Sequence, residues 1–408
     1  VGGAERVLLD LLASLRAAEP GWETHAIVPA EGPLAALASA AGVGVTVLPF
    51  PAALERLGDA GASQPGGAGW AALPGGLVRA APAALRYARS LGRLLRGIAP
   101  TVVHSHGLKM HLLGALARPR GAALLWHLHD YASRRRVMGA LLRRAASGCD
   151  GAVAVSASVA ADAREALGPS LPLQVVPNAV DLARFRPDGP ATDLDALAGL
   201  PPAAPGTVRV GLVATLGVWK GHEVFLRALS LLPPSLPVRG YVVGGAIYRT
   251  GGSQASLEAL RERADALGLA GRVGFPGFVS DTPAAMRALD VVVHASTQPE
   301  PFGLVIAEGM ACGRAVAASR TGGAAEVFAD GTEALGYPAG DAAALASVLQ
   351  RLVGDAGLRA RLGAAGRAAA EARFDRARLG PRMASLYRSL TPVPARRGAV
   401  AAMRRESA

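Results

Sequence analysis

The chain has 408 residues, 51% of them hydrophobic and 18% charged, which excludes a disordered composition and exceeds the size at which one core stops growing. Its formal charge of +12 is almost all arginine, with Lys109 and Lys220 the only lysines. That balance suits anionic partners such as nucleotides, lipid phosphate or an anionic membrane surface. No zinc-finger spacing or base-reading motif accompanies it and aromatics are only 4%, so no nucleic-acid partner is expected. Cys149 and Cys312 form neither a metal pattern nor a disulfide framework.

The chain opens on Val1 with a glycine pair already in place and no Met, so a first strand is expected to be missing. Ala4–Ala17 has helical periodicity, and His25–Val28 reads as a strand. Leu34–Ala41 reads as a helix and Val43–Leu48 as the next strand. The uncharged stretch around them is broken by Pro33, Pro49 and Pro51, so it is not a membrane span. Gly58–Gly76 reads as a loop and Leu77–Arg96 as a long amphipathic helix. Alternation continues with strands Thr101–His104, Leu124–His127, Gly151–Val155 and Leu173–Val176, separated by helices Leu108–Ala117, Val137–Ala146 and Val159–Leu167.

Asp181–Gly206 is proline-rich and reads as a linker. The alternation then restarts, with strands at Val208–Val213, Arg239–Val243, Val273–Gly274, Val291–His294 and Ala315–Ala318. Helices are expected at Glu223–Leu232, Leu257–Ala266, Thr282–Ala288, Val305–Cys312, Ala324–Phe328, Ala342–Leu352 and Arg359–Phe374. Two βα repeats flanking a linker predict two parallel sheets with a cleft at the carboxyl ends of their strands.

Four groups of residues carry chemistry. Gly2-Gly3-Ala4-Glu5-Arg6 precedes a helix, where backbone N–H groups and the helix dipole favour an anion, although an ordinary tight turn has the same sequence. His104 and His106, and His127 and His129, are spaced by two after apolar runs, which places each pair on one strand face. No cysteine or carboxylate spacing completes a metal set, so no metal is expected. His129, in His129-Asp130-Tyr131, is expected to face the cleft, the alternative being a satisfied structural histidine. Lys220, in Trp219-Lys220-Gly221-His222, sits in a strand-to-helix loop where a point charge can hold a diphosphate or remain solvated. Glu300-Pro301-Phe302-Gly303-Leu304 enters a short apolar helix whose interior Glu308 needs a partner, and a ribose diol is a natural one. The glycine loop Thr321-Gly322-Gly323-Ala324-Ala325-Glu326 follows.

These motifs together closely resemble the retaining GT-B-fold glycosyltransferases of family four, or group one. The most specific matches are the Glu300–Glu308 pair in its Pro-Glu-Pro-Phe-Gly context and the Gly-Gly-Glu loop. Supporting matches are Gly2-Gly3-Ala4-Glu5, Val155-Ser156-Ala157-Ser158, Val176-Pro177-Asn178, Trp219-Lys220-Gly221-His222, and the stretch from Val242 to Gln254. The resemblance implies an α/β GT-B fold of two Rossmann-like domains. They are expected at 1–183 and 207–372, with a linker at 184–206, a helix at 373–390 crossing back to the first domain, and a basic tail at 391–408.

It also implies a retaining transfer from a nucleoside-diphosphate sugar to a hydroxyl of a glycan, glycolipid or small molecule. No cofactor is expected, and the location would be the cytoplasm, at the inner face of the membrane. By resemblance, His129 and Glu300 are catalytic, and Gly3, Lys220, Phe302, Gly303, Leu304 and Glu308 bind the donor. Ala214 and Thr215 stand where many members carry a phosphate-binding arginine, a role that Arg249 is a candidate to fill. The competing readings are a nucleotide-sugar epimerase, a phosphorylase with lysine-bound pyridoxal phosphate, and a non-catalytic nucleotide- or membrane-binding subunit.

Overall fold

A computed structural model of the chain describes residues 2–55, 73–245 and 254–391. Most of the Gly58–Gly76 loop, Arg249, and the tail beyond Thr391 lie outside the described residues. The end of that expected loop is already helical, because the long helix begins at Leu73 and runs to Ile98.

The described strands are all parallel and form three sheets. In the first lobe, β1 (His25–Val28) pairs only with β2 (Gly44–Val47), apart from a sheet ordered β3 (Val102–His106), β4 (Ala123–Leu128), β5 (Gly151–Ala154) and β6 (Leu173–Val175). The second lobe holds β7 (Val208–Val213), β8 (Val238–Val243), β9 (Val273–Gly277), β10 (Val291–His294), β11 (Ala315–Ser319) and β12 (Leu335–Tyr337). Their order is β12-β11-β10-β7-β8-β9. Every residue of β4, β5, β10 and β11 is buried, as expected of strands covered by helices on both faces. This is the α/β, two-lobed GT-B architecture.

Three details depart from the sequence reading. β12 was not expected; three residues give too little periodicity, and the strand exists because β11 offers it an edge. Ala324–Phe328 is not a helix but a single 3-10 turn, Gly323–Glu326. The proline-rich linker segment is packed down: the buried Asp195 accepts hydrogen bonds from Arg209 (3.0 Å), Arg239 (2.7 Å) and Tyr241 (2.6 Å). Burial alone would raise the Asp195 carboxyl, but these donors hold it well below its ordinary range.

Between the helices expected at Arg359–Phe374 and 373–390 lies a short break, so the second helix begins only at Leu379. Ala356–Arg373 ends before Phe374, and Leu379–Leu390 returns to lie against the Gly3–Ala18 helix of the first lobe. At the break, Val180 N–H donates to the Phe374 carbonyl (2.7 Å) and Arg376 N–H to the Val180 carbonyl (3.0 Å). Arg376 pairs with Asp181 (2.8 Å) and Asp10 (3.3 Å). The returning helix approaches closely at Gly380, where a Cβ would lie 2.2 Å from the Ser14 carbonyl oxygen. Gly380→Val therefore forces the two helices apart. Equilibrium unfolding should show a loss of about 1–3 kcal/mol, and unchanged stability would mean the helices do not pack this way.

Candidate active site

In the second lobe the strand order reverses between β7 and β10, and the crevice beyond the carboxyl ends of those strands is where open α/β sheets bind ligands. Lys220 comes from the loop after β7 and Glu300 from the loop after β10. Backbone contacts lock the loops together. Thr297 N–H donates to the Trp219 carbonyl (2.8 Å), and Gly221, at φ +75°, leaves no room for a Cβ, which would lie 1.9 Å from the Ala295 carbonyl oxygen. The Lys220 ammonium lies 2.6 Å from one Glu300 oxygen. The other oxygen meets His294 Nε2 at 3.0 Å and the Ser296 hydroxyl. Burial would raise the Glu300 carboxyl, but Lys220 and His294 outweigh it and hold Glu300 ionised.

The next elements form the floor. Gly303, left-handed at φ +87°, caps the Leu304–Ala311 helix, whose first N–H groups have no partner within the helix and suit an anion or hydroxyl. The Phe302 side chain is buried edge-on against Phe374 (5.6 Å), so only its backbone is available to a ligand. Glu308 is 8% exposed and, among the described residues, nothing hydrogen-bonds its carboxyl. Burial pushes it up to about 7; Arg6 and Arg184 act against that shift and Asp10 adds to it. Arg6 belongs to the first lobe, so the charge on Glu308 is felt from both lobes.

The first lobe contributes His129 at the carboxyl end of β4. Burial lowers it to about 4, so its ring is neutral, and its Nε2 lies 3.0 Å from His106 Nδ1. Two residues on, the Tyr131 hydroxyl donates to the Glu300 carbonyl (3.2 Å), accepts from Gly323 N–H (3.2 Å) and meets Ser158 Oγ at 3.0 Å. Arg134 donates to the Pro299 carbonyl at 2.9 Å. Glu326 accepts from the N–H groups of Ala157 and Ser158, both at 2.7 Å, at the start of the Ala157–Leu167 helix, where a carboxylate opposes the helix dipole favourably. Gly3 is exposed, with open space where a Cβ would stand, and the Gly2 N–H donates to Glu5 at 2.7 Å.

The structure thus joins Lys220 to Glu300 directly and places Phe302, Gly303 and Leu304 beside them. Glu308 follows on the adjoining helix, and His129 lies two residues before Tyr131, which contacts the Glu300 backbone. Gly3 begins the helix that carries Arg6 toward Glu308. Sequence reasoning missed the roles of His294, Ser296, Tyr131 and Glu326. A signal existed for His294, which ends β10, and for Tyr131, the last residue of the His129-Asp130-Tyr131 motif.

A two-lobed α/β protein with this cleft has the form of a nucleotide-sugar enzyme. Its sequence matches the profile "Glycosyltransferase Family 4" over residues 1–184 and "Glycosyl transferases group 1" over residues 203–369. It is 35% identical to a D-inositol 3-phosphate glycosyltransferase of Xylanimonas cellulosilytica, over 69% of this chain and 66% of that protein. It is 31% identical to a GDP-mannose-dependent alpha-(1-6)-phosphatidylinositol monomannoside mannosyltransferase of Mycolicibacterium smegmatis, over 65% of this chain and 70% of that protein. Crystalline Anabaena HepE in complex with UDP-glucose superposes with a TM-score of 0.75 at 27% identity, covering 95% of this chain and 96% of that one. The chain belongs to the group 1 and family 4 glycosyltransferases. Its match spans about two thirds of the Xylanimonas protein's length.

Glu308 makes stability pH-dependent. Its folded value near 7 lies above the ordinary 4.5, so between those values the folded chain holds a proton that the unfolded chain has released. Stability contributed by this site is full below about 4.5 and falls as pH rises toward 7. Glu308→Gln cannot ionise. Its Tm should match wild type near about pH 5 and exceed it near about pH 8, by roughly 2–4 °C per kcal/mol relieved. Thermal melts at both pH values check this, and a difference independent of pH contradicts it.

Proposed function

We propose that this chain transfers a glycosyl unit from a nucleoside-diphosphate sugar to an acceptor hydroxyl with retention of anomeric configuration. The observation that carries the reading is the Lys220–Glu300 pair held at the β7/β10 reversal, with the largely buried Glu308 carboxyl, to which no described residue hydrogen-bonds, on the adjoining helix. Lys220 has donors left for a diphosphate, and the N–H groups of the Gly303–Leu304 turn add to them. Glu308 accepts from ribose hydroxyls, and Gly3 adds a backbone donor near the phosphates. Neutral His129 meets the transferred sugar from the opposite lobe.

In the transfer, the bond from the anomeric carbon to the diphosphate oxygen breaks as the acceptor oxygen bonds on the same face. The acceptor proton passes to a leaving diphosphate oxygen. The protein contributes placement and stabilisation of developing charge. UDP-glucose is the first donor to test, because HepE is complexed with it. A polyol or glycolipid is the first acceptor to test, given the names of the two sequence relatives. A lysine-bound pyridoxal phosphate fits less well: Lys220 is paired with Glu300, and the Lys109 ammonium donates to the Glu55 carbonyl at 2.7 Å.

Membrane contact is a further part of this reading, consistent with an enzyme at the inner face of the cytoplasmic membrane. The run Arg134–Arg136 with Arg143 and Arg144 is the arginine cluster the sequence offers for it, and of these Arg134 is turned toward the second lobe. Arg143 and Arg144 are exposed, as are Arg86, Arg89, Arg93 and Arg96 on the Leu73–Ile98 helix. Both helices pack on Leu108–Ala117, which sets these arginines on neighbouring helices. Near an anionic surface each contributes roughly 1 kcal/mol. Co-sedimentation with anionic vesicles should be strong at low salt, lost at high salt and weakened by Arg143→Glu with Arg144→Glu. Binding indifferent to salt and charge would end this part.

The division of labour between the glutamates tests the function. Glu308→Gln should weaken both donor and free nucleoside diphosphate, since it loses a charge-assisted hydrogen bond to ribose worth roughly 1.5–3 kcal/mol. Glu300→Gln should depress turnover while leaving nucleotide affinity close to wild type, because its proposed partners are hydroxyls of the transferred sugar and the neutral amide oxygen can still accept from Lys220. Calorimetric titration of UDP into both folded variants, with turnover of UDP-glucose measured alongside, decides it. Equal affinities in the two variants would show the roles are not divided this way.

A further inference from the structure

The two histidine pairs of the first lobe come together in a way their spacing alone did not reveal. Parallel pairing of β3 with β4 sets His106 opposite His127, with His104 two residues earlier on the same face. One ring nitrogen from each of His104, His106 and His127 lies within 4.8 Å of the others. Two rings are oriented through their second nitrogen: His104 Nδ1 by the Tyr387 hydroxyl at 2.7 Å, and His106 Nδ1 by His129 Nε2 at 3.0 Å. The remaining Nε2 atoms of His104 and His106, and both ring nitrogens of His127, are buried without a hydrogen-bond partner. His127 is only 1% exposed.

Buried polar atoms in a folded protein normally find partners, and here the unpartnered ones converge. A ring fixed by one nitrogen and open at the other is the usual arrangement of a metal-ligating histidine. Burial disfavours the charged form of all three rings, leaving the neutral imidazole that metals require. A set made only of imidazoles suits zinc-class ions and not magnesium or calcium, which take oxygen ligands. Tetrahedral coordination at about 2.0–2.1 Å separates ligand nitrogens by roughly 3.3 Å, so closing the cluster takes about 1 Å of ring movement together with rotation of the His104 and His127 rings, which now lie within 6° of parallel.

We infer that His104, His106 and His127 form a three-imidazole site for a zinc-class divalent ion, its fourth position left to water. The ion fixes His106 and through it His129. It also ties β3 and β4 to the returning C-terminal helix, which carries Tyr387. It is a structural site beside the cleft, and the inference does not depend on the transferase reading.

The test uses the full chain, stripped with chelator and dialysed. Titration with Zn²⁺ should give one equivalent, Co²⁺ should give a visible tetrahedral d–d absorption, and Mg²⁺ neither. His127→Ala should abolish the cobalt band. Tyr387→Phe preserves the aromatic packing and removes only the orienting hydroxyl, so it should still fold and bind Zn²⁺ roughly 10–100-fold more weakly. Absence of Zn²⁺ binding in the wild-type chain overturns the inference. So does a stoichiometry and cobalt spectrum unchanged in the folded His127→Ala and Tyr387→Phe variants.

Discussion

The part-buried pairing of Lys220 with Glu300 is the constraint around which the second lobe is arranged. An ion pair removed from water is stable only when the remaining lone pairs and protons find partners. Here His294 and Ser296 occupy the second Glu300 oxygen, and the Ser319 hydroxyl donates to the Ser296 carbonyl (2.9 Å) and meets His294 at 3.2 Å. Tyr337 of β12 donates to the His294 carbonyl at 3.0 Å. A strand too short to be read from sequence thus supports the histidine that completes the pair.

The glycine requirements follow from the same geometry. Gly221 is needed because its loop meets Ala295, and Gly322 because a Cβ there would lie 2.3 Å from the Tyr131 hydroxyl. At Gly323 a Cβ would lie 2.0 Å from the Pro301 carbonyl oxygen. The Gly-Gly-Glu loop is therefore a contact surface between lobes. Its glycines admit Tyr131 and the Glu300 backbone, and its glutamate caps a helix of the opposite lobe. The Ser156-Ala157-Ser158 and Gly322-Gly323…Glu326 motifs, far apart in sequence, are two halves of one contact. Asp162 completes it by accepting from the Ala132 N–H at 2.6 Å, which anchors the turn after Tyr131.

Much of this was legible in the sequence. Alternating apolar runs and amphipathic segments gave the βα repeats, because burial on both faces of a strand and on one face of a helix leaves different periodicities. The Glu300–Glu308 spacing and Lys220, one of only two lysines, marked residues whose charge is costly to bury without a purpose. Less legible were the 3-10 turn at Arg376–Arg378 that delays the last helix to Leu379, where the backbone bonds to Val180, and the 3-10 turn at Gly323–Glu326, where contact with the first lobe prevails over alanine's helical preference.

By itself the sequence determined two parallel α/β units, the loops that carry chemistry, and the residue types available for it, since these follow from local pattern and composition. Only the tertiary structure decided which loops meet. Strand order set Lys220 beside Glu300, and parallel register set His106 beside His127. Closure of the lobes brought Tyr131 to the Glu300 carbonyl. Each juxtaposition depends on pairing between segments remote in the chain, and such pairing leaves no periodic signal in either segment alone.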